Sequence, residues 1–316
     1  MSVFLSTLNQ MGFLALLIAV GYLLMRCHIV DGGAVKTLSK LENNVFIPAL
    51  VLGTFMTNFT IEYIDTAGRF ILCGLVVVLA SIGIALVVSK LCSKDTYIRN
   101  IFTYGLAFSN FGFMGNAVVS AIFPDIFLDY LIFLLPFWFF IFLWGVPALL
   151  IPNQEGEKTL RSRLKPLANP MFFAVIIGIV IGLAKIPTPA FIQTSVKTLG
   201  DCMSPIAMLL TGMTIAQMDI KSVLKNTSIY VISTIRLVAM PLATIAALYF
   251  LPVSYPIALC AVCAMAMPLG LNVVVIPGAY GKDTSIAAGM ALVSHLLSCI
   301  TIPLIFWLFE FLMNRA

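Results

Sequence analysis

The chain has 316 residues, of which 61% are hydrophobic and 10% charged, and its mean hydropathy is +1.08. Soluble domains are about 45–50% apolar and about 25% charged, so this composition excludes a soluble globular protein. The net charge of +5 is small and spread along the chain, which gives no reason to expect nucleic acid as a partner.

Ten apolar stretches are long enough to cross a bilayer, since a spanning helix needs roughly 20 apolar residues. Backbone groups in lipid must be paired within the segment, and the alternation of barrel strands is missing, so we predict an all-α polytopic membrane protein. The first stretch has no basic start or cleavage site and is expected to be retained rather than removed as a signal peptide. Predicted helices 1 to 10 lie at 4–25, 37–58, 68–92, 98–123, 127–151, 169–186, 196–218, 227–250, 255–280 and 286–313.

Predicted helix 4 contains a polar cluster, SNFGFMGNAVV, at residues 109–119. Asn110, Gly115 and Asn116 stand here between apolar stretches, where a buried helix would ordinarily carry leucine. Such a cluster is typical either of a break in the helix or of a face where small and polar residues pack closely against a neighbouring helix.

The longest polar segment, 152–168, is expected to be a cytoplasmic linker between two five-helix halves at 1–151 and 169–316, with no soluble domain. In predicted helix 7, Asp201 precedes Pro205. An acidic side chain at this depth could bind a coupling proton, or it could sit in a wet break at the start of the helix.

Arg236 is the only basic residue deep in a predicted helix, helix 8. Its insertion costs at least about 2.5–3.5 kcal/mol, so it needs a partner or water. It could attract an anionic substrate, clamp carbonyls that Pro241 leaves free, or extend to the cytoplasmic surface.

Predicted helix 9 contains MPLGLNVVVIPG, in which Pro268, Gly270, Asn272 and Pro277 interrupt the core. Proline removes a backbone donor and glycine permits the resulting bend, so this helix is predicted to be broken. In predicted helix 10, His295 could bind a coupling proton or form a hydrogen bond to another helix.

Three landmarks recur at one spacing, which indicates an internal repeat. The pairs are Pro48 with Pro205 at an offset of 157, Asn116 with Asn272 at 156, and Pro147 with Pro303 at 156. Each half has five helices, an odd number, so the second half must enter from the opposite face. We therefore predict two inverted repeats in which helices 4 and 9 are both broken and cross.

Loop charges orient the chain, because cytoplasmic loops are enriched in Lys and Arg. The loops after odd-numbered helices carry thirteen of these residues, and the opposite face carries four. This bias predicts that both termini are extracytoplasmic.

Two broken helices that cross would place free backbone N–H groups and free carbonyls together at the membrane midplane. The positive ends suit a carboxylate, and the negative ends suit a coupling cation. Asn116 and Asn272 stand where the second half-helices would begin, so each could cap its half-helix or face the ligand.

The combination of SNFGFMGNAVV, IRLVAMP at 235–241, AMPLGLNVVVIPGAYG at 266–281 and AAGMALVSHLLSCITIPL at 287–304 resembles the auxin efflux carrier family along the whole chain. This family includes plant auxin exporters and bacterial malate or malonate permeases. The resemblance implies a scaffold of helices 1, 2, 6 and 7, and a transport domain of helices 3–5 and 8–10 that moves like an elevator. It also implies substrate binding by Asn110, Gly115, Pro268 and Asn272. Where many relatives have proline after Met-Gly, this chain has Asn116.

We therefore expect a secondary active transporter of a mono- or dicarboxylate in the cell membrane, coupled to H+ or Na+ and without a cofactor. Lipid surrounds it, and an elevator scaffold favours a homodimer. The alternative is a channel or a membrane receptor with the same fold. An enzyme is not expected, because HExxH and paired acidic residues at helical spacing are missing.

Overall fold

The computed structural model describes residues 3–151, 169–217 and 226–313, and the predicted linker at 152–168 lies outside them. The described residues are almost entirely helical, and their only β feature is an isolated bridge between Ser109 and Leu269. The α-helices are α1 Val3–Arg26, α2 Gly32–Leu41, α3 Ile47–Asn58, α4 Ile64–Cys92, α5 Thr96–Ala107, α6 Asn116–Ile122, α7 Phe127–Phe133, α8 Leu135–Phe140, α9 Pro170–Leu183, α10 Ala190–Asp201, α11 Met203–Ala216, α12 Thr227–Thr234, α13 Met240–Phe250, α14 Tyr255–Ala266, α15 Asn272–Ala279 and α16 Ser285–Met313.

Within the described residues, six helical segments are long and apolar enough to cross a membrane. They are Val3–Arg26, Ile61–Cys92, Pro124–Leu150, Ala190–Ala216, Thr227–Phe250 and Ser285–Met313. An all-helical polytopic membrane protein is therefore confirmed. The predicted bounds were wrong at two starts: helix begins at Gly32 rather than 37, where Asp31 caps it, and at Ala190 rather than 196.

In the part of the chain that the structure describes, four π-helical segments interrupt the regular helices, at Glu42–Phe46, Phe111–Gly115, Ile141–Leu150 and Ile235–Ala239. Two of them end two residues before a proline, Pro48 and Pro241, and the third contains Pro147. Proline lacks the N–H that continues the helical ladder, so the turn around it widens. Glu42 and Arg236, both fully buried, lie in these widened turns.

Several pairs of helices approach closely at glycine. A Cβ atom added to Gly21 of α1 would lie 2.1 Å from the Leu209 carbonyl oxygen of α11, and one added to Gly212 would lie 1.9 Å from the Ile18 oxygen; α4 and α7 approach as closely at Gly74. In another pair, a Cβ atom at Gly178 of α9 would lie 3.2 Å from the Leu52 oxygen of α3. These contacts need glycine because no side chain fits between the backbones.

Candidate functional site

Two interrupted helices meet inside the protein. The first stops at Ala107 and resumes at Phe111, and the second stops at Ala266 and resumes at Asn272. The Asn110 N–H donates to the Pro268 carbonyl oxygen at 2.7 Å, and the Gly270 N–H donates to the Phe108 oxygen at 3.3 Å. Backbone groups that have no partner in their own helix therefore form hydrogen bonds to the backbone of the other break. Buried N–H and C=O groups must be paired in this way.

Side chains reinforce this crossing. The Ser109 hydroxyl donates to the Ala264 carbonyl at 2.7 Å, and the Ser294 hydroxyl accepts from the Leu269 N–H at 3.4 Å. Gly270 allows the close approach, since a Cβ atom there would lie 3.2 Å from the Ser109 carbonyl oxygen. Of the two interpretations of SNFGFMGNAVV, the described structure contains a break, placed at residues 108–110.

Arg236 lies fully buried against the crossing and donates to carbonyls of both interrupted helices. Its Nη1 atom is 2.9 Å from the Leu106 oxygen, and its Nε atom is 3.1 Å from the Met267 oxygen. Its Nη2 atom is 3.3 Å from the Ala264 oxygen and 3.2 Å from the Met265 oxygen. The guanidinium thus satisfies carbonyls freed at the ends of α5 and α14, rather than those freed by Pro241.

Ser81 of α4 occupies a similar position on the other side of α5. Its hydroxyl donates to the Ala107 carbonyl at 3.0 Å and to the Leu106 carbonyl at 3.4 Å. The C-terminal end of α5 is therefore held from α4 and from the turn that carries Arg236. Both contacts fix the free carbonyls of a helix end that has no further turn to bind them.

His295 and Asn110 form a buried pair. The Asn110 Nδ2 atom is 2.9 Å from His295 Nε2, and His295 Nδ1 is 2.7 Å from the Ala291 carbonyl oxygen. A carbonyl oxygen only accepts, so Nδ1 carries a proton. With the amide nitrogen as donor, Nε2 accepts, and the imidazole is neutral in this arrangement.

A small cavity of about 30 Å³ opens between the crossing and the turn that follows α2. Tyr104, Asn110, Gly270 and Asn272 from the interrupted helices line it, together with Asn43 from the turn that follows α2. This volume suits one or two water molecules, whereas drug-sized ligand pockets are about 300–1,000 Å³. The crossing is thus nearly closed in this conformation.

Asn116 and Asn272 occupy different surroundings. Asn116 is 2% exposed and its Oδ1 atom has no hydrogen-bond partner, whereas the Asn272 Nδ2 atom donates to the Tyr104 hydroxyl at 3.3 Å. Neither side chain caps a helix, because neither accepts from a backbone N–H at its helix start. The expected capping role is wrong, since the first break ends at Phe111, five residues before Asn116.

On the carboxylate ligand expected from the sequence, Asn116→Ala and Asn272→Ala should each reduce the rise in melting temperature measured on adding malonate, while leaving the unliganded melting temperature within a few degrees. Each change removes an amide near the crossing without removing backbone pairing. Asn58→Ala, an exposed amide in α3 that bonds only to its own helix, is the matched control. An unchanged malonate response in both variants would assign these asparagines to packing.

Asp201 is the last residue of α10, and α11 begins two residues later at Met203, so it stands at an interruption of the helix, as one of its two interpretations predicted. Its carboxylate pairs with Lys197 at 2.7 Å, and the two side chains are 62% and 75% exposed. An exposed pair of this kind contributes little stability. Asp201 lines a separate groove between α3 and α10, and does not join the cluster around the crossing.

Sequence reasoning missed Asn43, Tyr104 and Trp138, which line the cavity, and Ser81, which holds the end of α5. It also missed Glu42, which is fully buried and whose two carboxylate oxygens have no hydrogen-bond partner. An acid next to an asparagine pair inside an apolar helix was the available signal. A buried carboxyl without a partner is costly unless it is protonated.

Apolar helices around two interrupted segments that pair through their backbones define a polytopic membrane protein built around a central crossing. The family model described as membrane transport protein matches residues 6–164 and 157–306. The chain therefore belongs to this family, which includes the auxin efflux carriers, and its role is membrane transport. Among curated proteins, no match to the chain was found.

Proposed function

We propose that the protein is a secondary active transporter that carries a small organic anion through alternating access at the crossing. The observation that supports this proposal is the backbone hydrogen bonding of Asn110 to Pro268 and of Gly270 to Phe108, which joins two helix breaks beside a cavity. Irregular backbone at membrane depth is typical of substrate sites in transporters. A mono- or dicarboxylate would bind to amide and backbone donors there.

Arg236 is assigned a structural role in this proposal. Its donors already serve four carbonyl groups, so its charge stabilises the ends of α5 and α14. Recognition of the anion then rests on the side chains that line the cavity, above all Asn110 and Asn272.

The inverted repeat is supported by the glycine contacts. Gly21 approaches the Leu209 oxygen, and Gly178 approaches the Leu52 oxygen. The two contacts correspond across the halves of the chain. Gly178 lies 157 positions after Gly21, and Leu209 lies 157 positions after Leu52. Equivalent helices in two inverted halves would make this contact twice, which favours ten helices arranged as two five-helix repeats.

An elevator motion follows from the same contacts. The pairs α1 with α11 and α3 with α9 would form the scaffold, because backbone contacts at glycine leave little room for sliding. The helices around the crossing would move as the transport domain. Asn43 lies on the scaffold side of the cavity and Asn110 on the transport side, so relative motion of the two domains would open and close it.

Uptake into proteoliposomes tests the proposal. We expect labelled carboxylates, tested as a panel that includes malonate, malate and acetate, to enter with saturable kinetics and to accumulate under a pH or a sodium gradient. The two gradients are applied separately to identify H+ or Na+ as the coupling ion. Passage that never saturates and ignores both gradients would favour a channel and overturn the proposal.

Placement of both termini outside the cytoplasm is part of the proposal and rests on the loop charges. Cys27, which follows α1, is the only exposed cysteine of the seven. We expect an impermeant maleimide to label Cys27 in inside-out membrane vesicles and not in right-side-out vesicles, with Cys27→Ser as the control. Labelling in right-side-out vesicles alone would show that the chain has the opposite orientation.

A further inference from the structure

We propose that protonation of His295 rotates the side-chain amide of Asn110 and thereby switches the cavity from rejecting to binding an anion. The proposal rests on the transport function proposed above and deepens it. It makes the coupling ion a proton, which is transported together with the anion. It uses two hydrogen bonds, from Asn110 to His295 and from His295 to Ala291.

The first step is the fixed role of one imidazole nitrogen. His295 Nδ1 donates to the Ala291 carbonyl 2.7 Å away, one turn earlier in α16, so it keeps its proton in both charge states. A second proton can bind only at Nε2. That nitrogen faces the Asn110 amide at 2.9 Å and is buried with it, His295 being 1% and Asn110 3% exposed.

The second step is an exchange of donor and acceptor. Neutral His295 accepts at Nε2, so Asn110 must turn its NH2 group toward the ring. The amide oxygen is then the end available to a ligand, and it repels a carboxylate. Imidazolium donates at Nε2, so the amide must turn its oxygen toward the ring and offer its NH2 group to the ligand. An amide makes this exchange by a half rotation of its terminal bond.

The third step is that only the side chain of Asn110 is free to turn. Its N–H donates to the Pro268 oxygen at 2.7 Å, and its carbonyl accepts from Met114 at 3.1 Å and from Gly115 at 2.9 Å. The backbone is therefore held on both sides. Because Asn110 lines the cavity, the rotation changes a hydrogen-bonding group at the ligand site without moving the crossing.

Charges near His295 favour this assignment. The described elements that pack most extensively against α16 are α1, α5, α11, α12, α13, α14, α15 and the turn Ile235–Ala239, and Met114 and Phe123 also contact it. Their buried titratable groups are Arg236, Tyr104, Cys260 and Cys263. On α16 itself Cys299 and Glu310 are half-buried, and Glu310 accepts from Tyr255. The remaining titratable groups on these elements are at least partly exposed: Tyr22, Arg26, Tyr97, Arg99, Tyr230, Tyr249 and Tyr255.

No carboxylate on these elements faces His295 within the described residues, and Arg236 is bound by carbonyls. Tyrosine and cysteine ordinarily titrate well above neutral pH, so His295 is the described group there that most readily gains a proton on acidification. An imidazolium without a counter-ion is costly in the membrane interior. A bound carboxylate would supply that counter-ion, which makes proton and anion binding mutually favourable.

The test measures exchange of labelled malonate across proteoliposomes with equal pH on both sides, from pH 5.5 to 8.0. The wild type should lose exchange by about tenfold or more over this range, as for a site that binds one proton. In His295→Gln the amide at position 295 offers both a donor and an acceptor end at every pH, so no titrating group sets the orientation of Asn110. Its exchange should vary less than about twofold with pH. It should also no longer accumulate malonate under a pH gradient.

Ser298→Ala is the matched control, since Ser298 is buried one turn after His295 and bonds to its carbonyl without titrating. It should keep the wild-type pH profile, and thermal unfolding of each variant verifies its fold. If His295→Gln retains a steep pH profile and gradient-driven accumulation, the switch is wrong although the transport function stands. If His295→Gln misfolds, the wild type decides: a pH-sensitive dye inside the vesicles should record acidification as malonate enters from an equal external pH, and saturable entry without acidification would overturn the switch. A wild type without saturable malonate exchange would instead count against malonate transport itself.

Discussion

Arg236→Met should lower the melting temperature of the purified protein by an amount on the order of 10 °C, the largest loss expected from a single change. Each buried carbonyl that loses its donor costs about 1–3 kcal/mol, and Arg236 donates to four. Methionine fills most of the side-chain volume but donates nothing. The effect should appear without any ligand, because the carbonyls belong to the crossing and not to the substrate.

Two further variants test whether the loss of stability comes from the hydrogen bonds of Arg236. Arg69→Met makes the same substitution at an exposed site near the start of α4 and should change the melting temperature by only a degree or two. Arg236→Lys keeps the positive charge but replaces the planar fork by a single ammonium group, so it should recover only a minor part of the loss. If Arg236→Met unfolds at the wild-type temperature and loses only its response to malonate, Arg236 is an anion ligand instead.

Gly115→Ala should destabilise the protein by about 1–3 kcal/mol, the usual cost of inserting a methyl group into a packed core. A Cβ atom at Gly115 would lie 2.2 Å from the Tyr130 hydroxyl oxygen, and Tyr130 is itself fully buried. The strain should also move the turn Phe111–Gly115, which follows Asn110, and so weaken malonate binding.

Removal of the clashing atom should restore stability. Tyr130→Phe deletes the hydroxyl, whose only hydrogen bond in the described structure is a long one of 3.4 Å to the Phe111 carbonyl. The double variant should therefore unfold closer to the wild type than Gly115→Ala does. Gly12→Ala is the control, because a Cβ atom there meets nothing within 4 Å. Equal losses in the single and double variants would show that Gly115 is needed for its backbone conformation rather than for space.

The helical class of the protein was predictable, because apolar segments in lipid have one common way to pair their backbone. The breaks near SNFGFMGNAVV and MPLGLNVVVIPG were also indicated by glycine, proline and asparagine inside apolar segments. The exact positions of these breaks were not predictable. Asn116 was expected to begin a half-helix, yet a π turn from Phe111 to Gly115 already precedes it.

The partners of buried polar residues were beyond sequence reasoning. His295 and Asn110 are 185 positions apart, and Arg236 lies 130 positions from Leu106. Both pairs arise from the crossing of distant segments, which periodicity within one segment does not describe. Glu42 was missed because an acid near the start of a helix is usually at the surface, whereas here a turn that packs against α9, α10 and α11 buries it.

The central claim is that an anion crosses the membrane by alternating access at the crossing of the two interrupted helices. Counterflow tests it most directly: proteoliposomes are preloaded with unlabelled malonate and diluted into labelled malonate without any ion gradient. A carrier predicts a transient accumulation of label above its outside concentration, which Asn110→Ala should abolish. Label that rises only to its outside concentration, at the same rate with and without preloading, would contradict the account.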